Sequence, residues 1–358
     1  MSARIAAVLL LLLAVLGGGA LLVRQQRAAE KPADSALLGQ PLLKNLPAAQ
    51  VAKIALRSPA GAITVQKKDD RWTVAERGGF PADFGKVRDF VLQAIGLRIA
   101  QSEAIAQADR ARFKLDAGAT TVEFFDAAGT SLARLSLGEK YFRTGPEDRA
   151  RAVGDGRYVM LPGDERRVYV VADPLTQASV RSADWVSTAG FAAEKVRSLE
   201  VQRAEGRGWR IERDGDNADW KLAGAAKGEK LEVTSANSAA YSLSLLGLAD
   251  VAPPDVKPGQ TGLDEPTVVS AQTFDGLTYT LRLGKLEGQN YYATLEVAGE
   301  PKAEGPDAAK RQPKLAERVA HEKALAGYVL LIPKSKLDDV LRKRADLLQK
   351  KPEKKPPR

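Results

Sequence analysis

The chain has 358 residues, 44% of them hydrophobic and 28% charged, with a formal net charge of +9, no cysteine and one histidine. That is the composition of an ordinary folded chain with enough material for about two domains. Without cysteine there can be no disulfide, thiolate nucleophile, zinc knuckle or iron–sulfur cluster. With His321 alone, a Ser-His-Asp triad or a multi-histidine metal site within one chain is nearly excluded.

After a short start over residues 1–4, the run Ile5 to Val23 carries no charge. As a helix it would extend roughly 28 Å, close to the thickness of bilayer hydrocarbon. The run leaves through Leu21-Leu22-Val23-Arg24 with no small-x-small cleavage site, which predicts an uncleaved transmembrane anchor over 5–23 in contact with membrane lipid. Arg4 on one side faces Arg24, Arg27 and Lys31 on the other, so charge leaves the orientation open. Residues 24–49, rich in Ala, Gln, Pro and Lys, read as a flexible linker.

From Val51 the pattern becomes that of short strands. Ile54 and Leu56 alternate with polar neighbours, Ile63 and Val65 follow the turn at Pro59-Ala60-Gly61, and Trp72 and Val74 follow Asp69-Asp70. The same meander returns as Leu199 and Val201, then Trp209 and Ile211, then Trp220 and Leu222, each about 145–148 residues later. A helical stretch follows each, through Phe84, Val87, Val91 and Ile95 in the first and Tyr241, Leu245 and Leu248 in the second. Next come matching hairpins. Val122 and Phe124 lead through Asp126 to Ala133, Leu135, Leu137 and Gly138, and Phe274 leads through Asp275-Gly276 to Tyr279, Leu281, Leu283 and Gly284. Val168 to Val171 with Pro174 corresponds to Tyr328 to Leu331 with Pro333. The expected fold class is therefore α+β: a transmembrane helix and two tandemly repeated α+β domains, 50–190 and 195–348, each an antiparallel sheet with a covering helix. The second carries a charged insertion at 300–326 that contains His321, and residues 349–358 form a basic, disordered tail that reads as a solvated end.

The paired strand start, the tryptophan strand after a Lys/Asp turn, the helix, the segment Gly262-Leu263-Asp264-Glu265-Pro266 and the strand ending in Leu-Gly together resemble the domain of unknown function 4340 family. In the first half, Lys114-Leu115-Asp116-Ala117-Gly118 lacks the glycine and proline of that segment. The resemblance carries no catalytic residues. It implies a bacterial envelope protein anchored once, its bulk outside the cytoplasm, with some relatives encoded beside gliding-motility-type ABC transporter components.

No catalytic, cofactor-binding or metal-ligating residue is assigned. Asp126 and Asp275 occupy equivalent hairpin turns, where an aspartate caps the turn backbone, and Asp69, Asp70, Asp214 and Asp216 sit in similar turns. Trp72, Trp209 and Trp220 lie in phase with aliphatic strand positions and read as core, while Trp185 is undetermined. His321 reads as a solvated side chain beside a helix. Gly206-Arg207-Gly208 lacks the third glycine of a dinucleotide loop, and Gly-Lys-Ser/Thr is absent. The long loop from Tyr141 to Arg157 is the candidate for partner contact. These readings lead to the expectation of a non-enzymatic, single-pass protein of the bacterial inner membrane, its bulk periplasmic. It would bind or scaffold a membrane complex through a protein partner, without cofactor or nucleic acid, as an accessory to an ABC-type transporter. The alternatives are an envelope hydrolase acting on cell-wall or polysaccharide substrate through carboxylates, and a cytoplasm-facing polyanion binder using the basic tail.

Overall fold

The computed structural model describes residues 36–142, 154–203, 205–303 and 307–349. The anchor expected at 5–23 and most of the expected tail lie outside them. Among the described residues no helix is long and apolar enough to cross a membrane.

The fold is mixed α+β, with two antiparallel sheets and few helices. In chain order come β1 (Lys53–Ser58), β2 (Gly61–Lys68), β3 (Arg71–Val74), β4 (Phe80–Pro81), α1 (Phe84–Gly96), β5 (Ile99–Ala104), β6 (Thr120–Phe125), β7 (Ser131–Tyr141), β8 (Gly156–Met160) and β9 (Arg167–Val171). Then follow β10 (Val196–Gln202), β11 (Trp209–Glu212), β12 (Lys221–Leu222), α2 (Val233–Tyr241), β13 (Asp250–Val251), α3 (Pro258–Thr261), β14 (Thr267–Thr273), β15 (Thr278–Glu287), β16 (Asn290–Ala298), α4 (Ala308–Ala324), β17 (Leu330–Pro333) and α5 (Lys334–Leu337). The first sheet runs β4-β3-β2-β1-β6-β7-β8-β9-β5, and the second β12-β11-β10-β14-β15-β16-β17-β13. Strand for strand the two orders agree, with β4 the extra edge of the first. In both, the helix-bearing connection carries the chain from one edge of the sheet to the other, so that β5 pairs with β9 and β13 with β17.

Alternation sets which side chains meet. Ile54 and Leu56 of β1 lie opposite Phe124 and Val122 of β6, and Leu199 and Val201 of β10 lie opposite Ala271 and Val269 of β14. All of these are buried, as the period of two requires of strands with one face against a core. Phe90 of α1 stacks on Phe124 at 6.0 Å between ring centroids.

The expected helical positions are borne out in part: Val87 and Val91 of α1 and Leu248 are buried, whereas the second helix ends at Tyr241, ahead of Leu245 and Leu248. Phe84 is exposed, and so are Tyr241 (78%) and Leu245 (81%). Inward positions are taken by Val87, Phe90, Val91 and Ala94 in α1, and by Ala236, Ala239 and Ala240 in α2, with Leu243 and Leu246 after it. Alanines permit close approach of a short helix, which a tyrosine at the same place would hold off. The segment expected as a linker over 24–49 is packed at its described end. Leu42, Leu43 and Leu46 are buried, and the amides of Gly39 and Leu42 donate to the carbonyls of Ile99 and Leu97.

Packing divides the chain into two compact units, one running up to Ala62 and again over Arg88–Val180, the other comprising Ile63–Val87 and the chain from Arg181 on. Within the second unit the Phe80 ring meets Tyr328 edge-on at 4.9 Å, Arg77 lies 3.5 Å from Asp250, and the Asp83 amide donates to the Trp185 carbonyl at 2.8 Å.

β7 and β15 do not end at Leu-Gly but run on to Tyr141 and Glu287, and the glycine within each has a common physical cause. A Cβ on Gly138 would stand 2.2 Å from the Phe113 carbonyl oxygen, and one on Gly284 would stand 2.0 Å from that of Thr261. In each sheet the regular register breaks directly afterwards, between Leu137 and Lys140 and between Leu283 and Leu286. A bulge there bends the strand around the backbone it has just let in. Gly138→Ala and Gly284→Ala should each lower the unfolding free energy by about 1–3 kcal/mol or more, because backbone rather than a flexible side chain must give way. Gly96→Ala, at a helix end with open space around the new methyl group, should be neutral or stabilising by up to about 1 kcal/mol. Urea unfolding followed by tryptophan fluorescence distinguishes the two cases, and equal midpoints for all three variants would refute the close-approach explanation.

Candidate functional site

The second unit carries a cleft of about 260 Å³ between the sheet and α4. One wall comes from Glu194 and Lys195, which lead into β10, and from Phe274 and Asp275 in the β14–β15 turn. The chain after β16 adds Lys302 and Ala303, and α4 adds Arg311, Lys314, Leu315 and Arg318. The last four fall at i, i+3, i+4 and i+7, one face of a helix.

A charged helix such as α4 has little apolar surface with which to dock, and a buried acid fastens it. Glu322 is 1% exposed. Its Oε2 accepts from the Tyr279 hydroxyl at 2.8 Å, and its Oε1 accepts from the Ala192 amide at 2.9 Å. Arg318 reaches Glu194 at 2.9 Å with Nη1 and lies 3.7 Å from Glu322 with Nε. Burial pushes the Glu322 carboxyl above the ordinary carboxylate range, although Tyr279, Ala192 and Arg318 pull the other way. Burial, and then the hydrogen bond to Glu322, push the Tyr279 phenol up as well. Tyr279 stacks on Phe191 at 5.7 Å.

The rim is set by backbone bonds. The Phe274 amide donates to the Lys195 carbonyl and the Lys302 amide to the Asp275 carbonyl, both at 3.0 Å. Gln312 of α4 accepts from the Ala303 amide at 2.8 Å and donates to the Pro301 carbonyl at 2.7 Å. Behind Phe274, the Arg213 guanidinium lies 5.8 Å from its ring and 4.7 Å from that of Trp220.

The carboxylates singled out from sequence are engaged in local structure. Asp126 accepts from the Thr130 amide at 2.8 Å, and Asp275, which lines the cleft, accepts from the Thr273 hydroxyl. Asp69 and Asp70 turn the β2–β3 hairpin at φ 48° and 61°, and Asp70 pairs with Lys67 at 2.9 Å. Asp214 pairs with Lys221 and Asp216 with Arg213. Trp185, Trp209 and Trp220 are buried, the last two donating their indole N–H to the Arg342 carbonyl and to Asn237, while Trp72 is half-buried. His321 lies in the last turns of α4, its Nε2 3.5 Å from the Ala189 carbonyl. Gly206 and Arg207 border a second hollow in which Arg344, one of four cations lining it, pairs with Glu229 at 2.7 Å; that contact holds the Glu229 carboxyl at about 2. Residues 143–153 of the loop Tyr141–Arg157 lie outside the described residues, and its ends pair as β7 and β8. No group of three or more acidic or histidine side chains able to hold a metal is found among the described residues.

These features define a mixed α+β protein with two antiparallel sheets of matching strand order, the second bearing a cationic cleft beneath an added helix. The chain belongs to the domain of unknown function family DUF4340, whose sequence profile matches residues 72–266. No curated protein and no solved structure matches the chain.

The buried acid gives a pH test. Because the folded state raises the Glu322 pKa above its ordinary 4.5, it holds the proton more tightly than the unfolded chain does. That contribution is fully present below 4.5 and is lost as pH rises through the raised folded value. The stability of the wild type relative to Glu322→Gln should therefore fall as pH rises from 4 upward, measured by urea midpoints at a series of pH values. A flat or rising difference would contradict burial as the dominant influence.

Proposed function

We propose that this is a non-enzymatic, single-pass binding protein of a bacterial inner membrane, held through residues 5–23, with its bulk periplasmic. There it binds or scaffolds a membrane complex as an accessory to an ABC-type transporter. The carrying observation is the cleft beneath α4: a half-open hollow with a fixed rim, cationic side chains and an apolar patch formed by Phe274 and Leu315. Recognition sites combine those elements. The engagement of the candidate carboxylates in turns and ion pairs favours binding over acid–base hydrolysis. The matching strand orders favour two copies of one α+β unit, 50–190 and 195–348, with the insertion as an addition to the second.

A photo-crosslinking amino acid at position 314 in intact membranes tests this reading. It should yield a defined adduct with an envelope component that disappears when Lys195 and Lys302 are changed to Glu. The same probe at exposed Lys68 should not yield it. A reporter active only outside the cytoplasm, fused after Arg358, should be active. Identical adducts from both probe positions, or an inactive reporter, would overturn the proposal.

A further inference from the structure

We infer that the cleft beneath α4 is a site for a phosphate group carried on a small organic body, an inference that rests on the binding reading above and names what is bound. The argument begins with charge. Arg318 neutralises Glu194, while Asp275, whose carboxylate accepts from the neutral Thr273 hydroxyl, is the one acid at the rim that keeps its charge. Lys195, Lys302 and Lys314 remain, and among the described residues none of them forms an ion pair. Other cations near acids are matched one to one, as Lys67 is with Asp70, Lys221 with Asp214 and Arg344 with Glu229. Three lysines against one free carboxylate leave the hollow with a positive excess that an anion would balance.

Geometry narrows the anion. The three lysines arrive from three separate stretches of chain, one entering β10, one leaving β16 and one on α4. Donors converging from several sides suit a tetrahedral group with three free oxygens better than a planar carboxylate, which is best met by a single guanidinium fork. The backbone at Lys195 and Lys302 is fixed in advance, since the carbonyl of one and the amide of the other bond to the same β14–β15 turn at 3.0 Å. A volume of about 260 Å³ accommodates a phosphate with a small attached body and is too small for a length of nucleic acid. Phe274 and Leu315 would lie against that body. A phosphomonoester of this kind can come from a soluble metabolite or from a lipid headgroup.

Lysine acylation of the full-length protein, read peptide by peptide by mass spectrometry, tests the site. In uncharged detergent the probe is glycerol phosphate, with sodium acetate at equal ionic strength as the reference. In nanodiscs of phosphatidylcholine the probe is added phosphatidic acid, with phosphatidylserine at equal mole fraction as the reference. Labelling of Lys195, Lys302 and Lys314 should slow about tenfold at saturation, as when charge-assisted bonds cover an amine. Exposed Lys68, Lys227 and Lys336 should not change. Protection by glycerol phosphate indicates a soluble ligand, and protection only by phosphatidic acid indicates a lipid headgroup; either supports the inference. The pair K195Q/K302Q should weaken protection of Lys314 about tenfold, whereas K68Q/K336Q should leave it intact. No protection in either arm, or equal protection by acetate and phosphatidylserine, overturns it. If the crosslink from position 314 persists while protection is absent, only the ligand class fails; if both vanish, the binding reading falls with it.

Discussion

The cleft depends on one buried carboxylate. Of the residues in α4, Val319 and Glu322 are the buried ones, with Leu325 just beyond its end. Two aliphatic side chains supply only about 3–6 kcal/mol of burial, little with which to order a helix of this length. Glu322 adds direction. Its two oxygens meet the hydroxyl of Tyr279 in β15 and the amide of Ala192 ahead of β10, so the helix can dock in only one rotation. With Glu322 inward, Arg318 one turn earlier reaches Glu194, and Arg311 and Lys314 line the cleft. Burying a charge is costly, and its raised pKa records that cost, so its role is better described as fixing orientation than as adding stability.

Much of the fold was legible because a sheet with one buried face writes its register into alternate residues. Ile54 and Leu56, Leu199 and Val201, and the hairpin partners of each stood at recurring offsets, and the two strand orders agree accordingly. The recurring Leu-Gly was legible as a pattern but not as a cause, since the carbonyls that press on Gly138 and Gly284 belong to Phe113 and Thr261, earlier in the chain. The segment before them shows how a departure from pattern can leave geometry intact. Gly262 ends α3 at φ 65°, and Lys114, which stands where the first half lacks that glycine, adopts φ 53°. A lysine in the left-handed region costs about 1–2 kcal/mol, which a stable core can absorb.

Helix faces and the cleft were harder to read, for two different reasons. Size misled in the second helix: Tyr241 and Leu245 are bulky apolar residues at helical spacing and are exposed, while alanines and the leucines between face inward; in α1 the expected Val87 and Val91 do face inward and only Phe84 does not. A short helix crossing close to a sheet gains more from a small contact surface than from a large side chain that would lift it away. The cleft was obscured by separation. Lys195, Phe274, Lys302 and Lys314 belong to four stretches of chain, and each by itself is an unremarkable surface residue or turn neighbour. The only local trace was the basic spacing on α4, a common feature of solvated helices.

That distribution bears on how a shared fold acquires a particular use. The family profile ends at residue 266, whereas α4 begins at Ala308, so the matched region holds the meander, the helix and Lys195 but neither Lys302 nor Lys314. At the hairpin position where the first half has Ala133, the second has Tyr279, and that phenol is what the added helix grips. An alanine there could offer no hydrogen bond, and a buried Glu322 would then lose a donor that its charge needs. The tyrosine and the insertion thus make sense only together: one prepares the sheet to hold a helix, the other brings the charges. A cleft built this way can change by exchange of the insertion while the sheets beneath it keep their order.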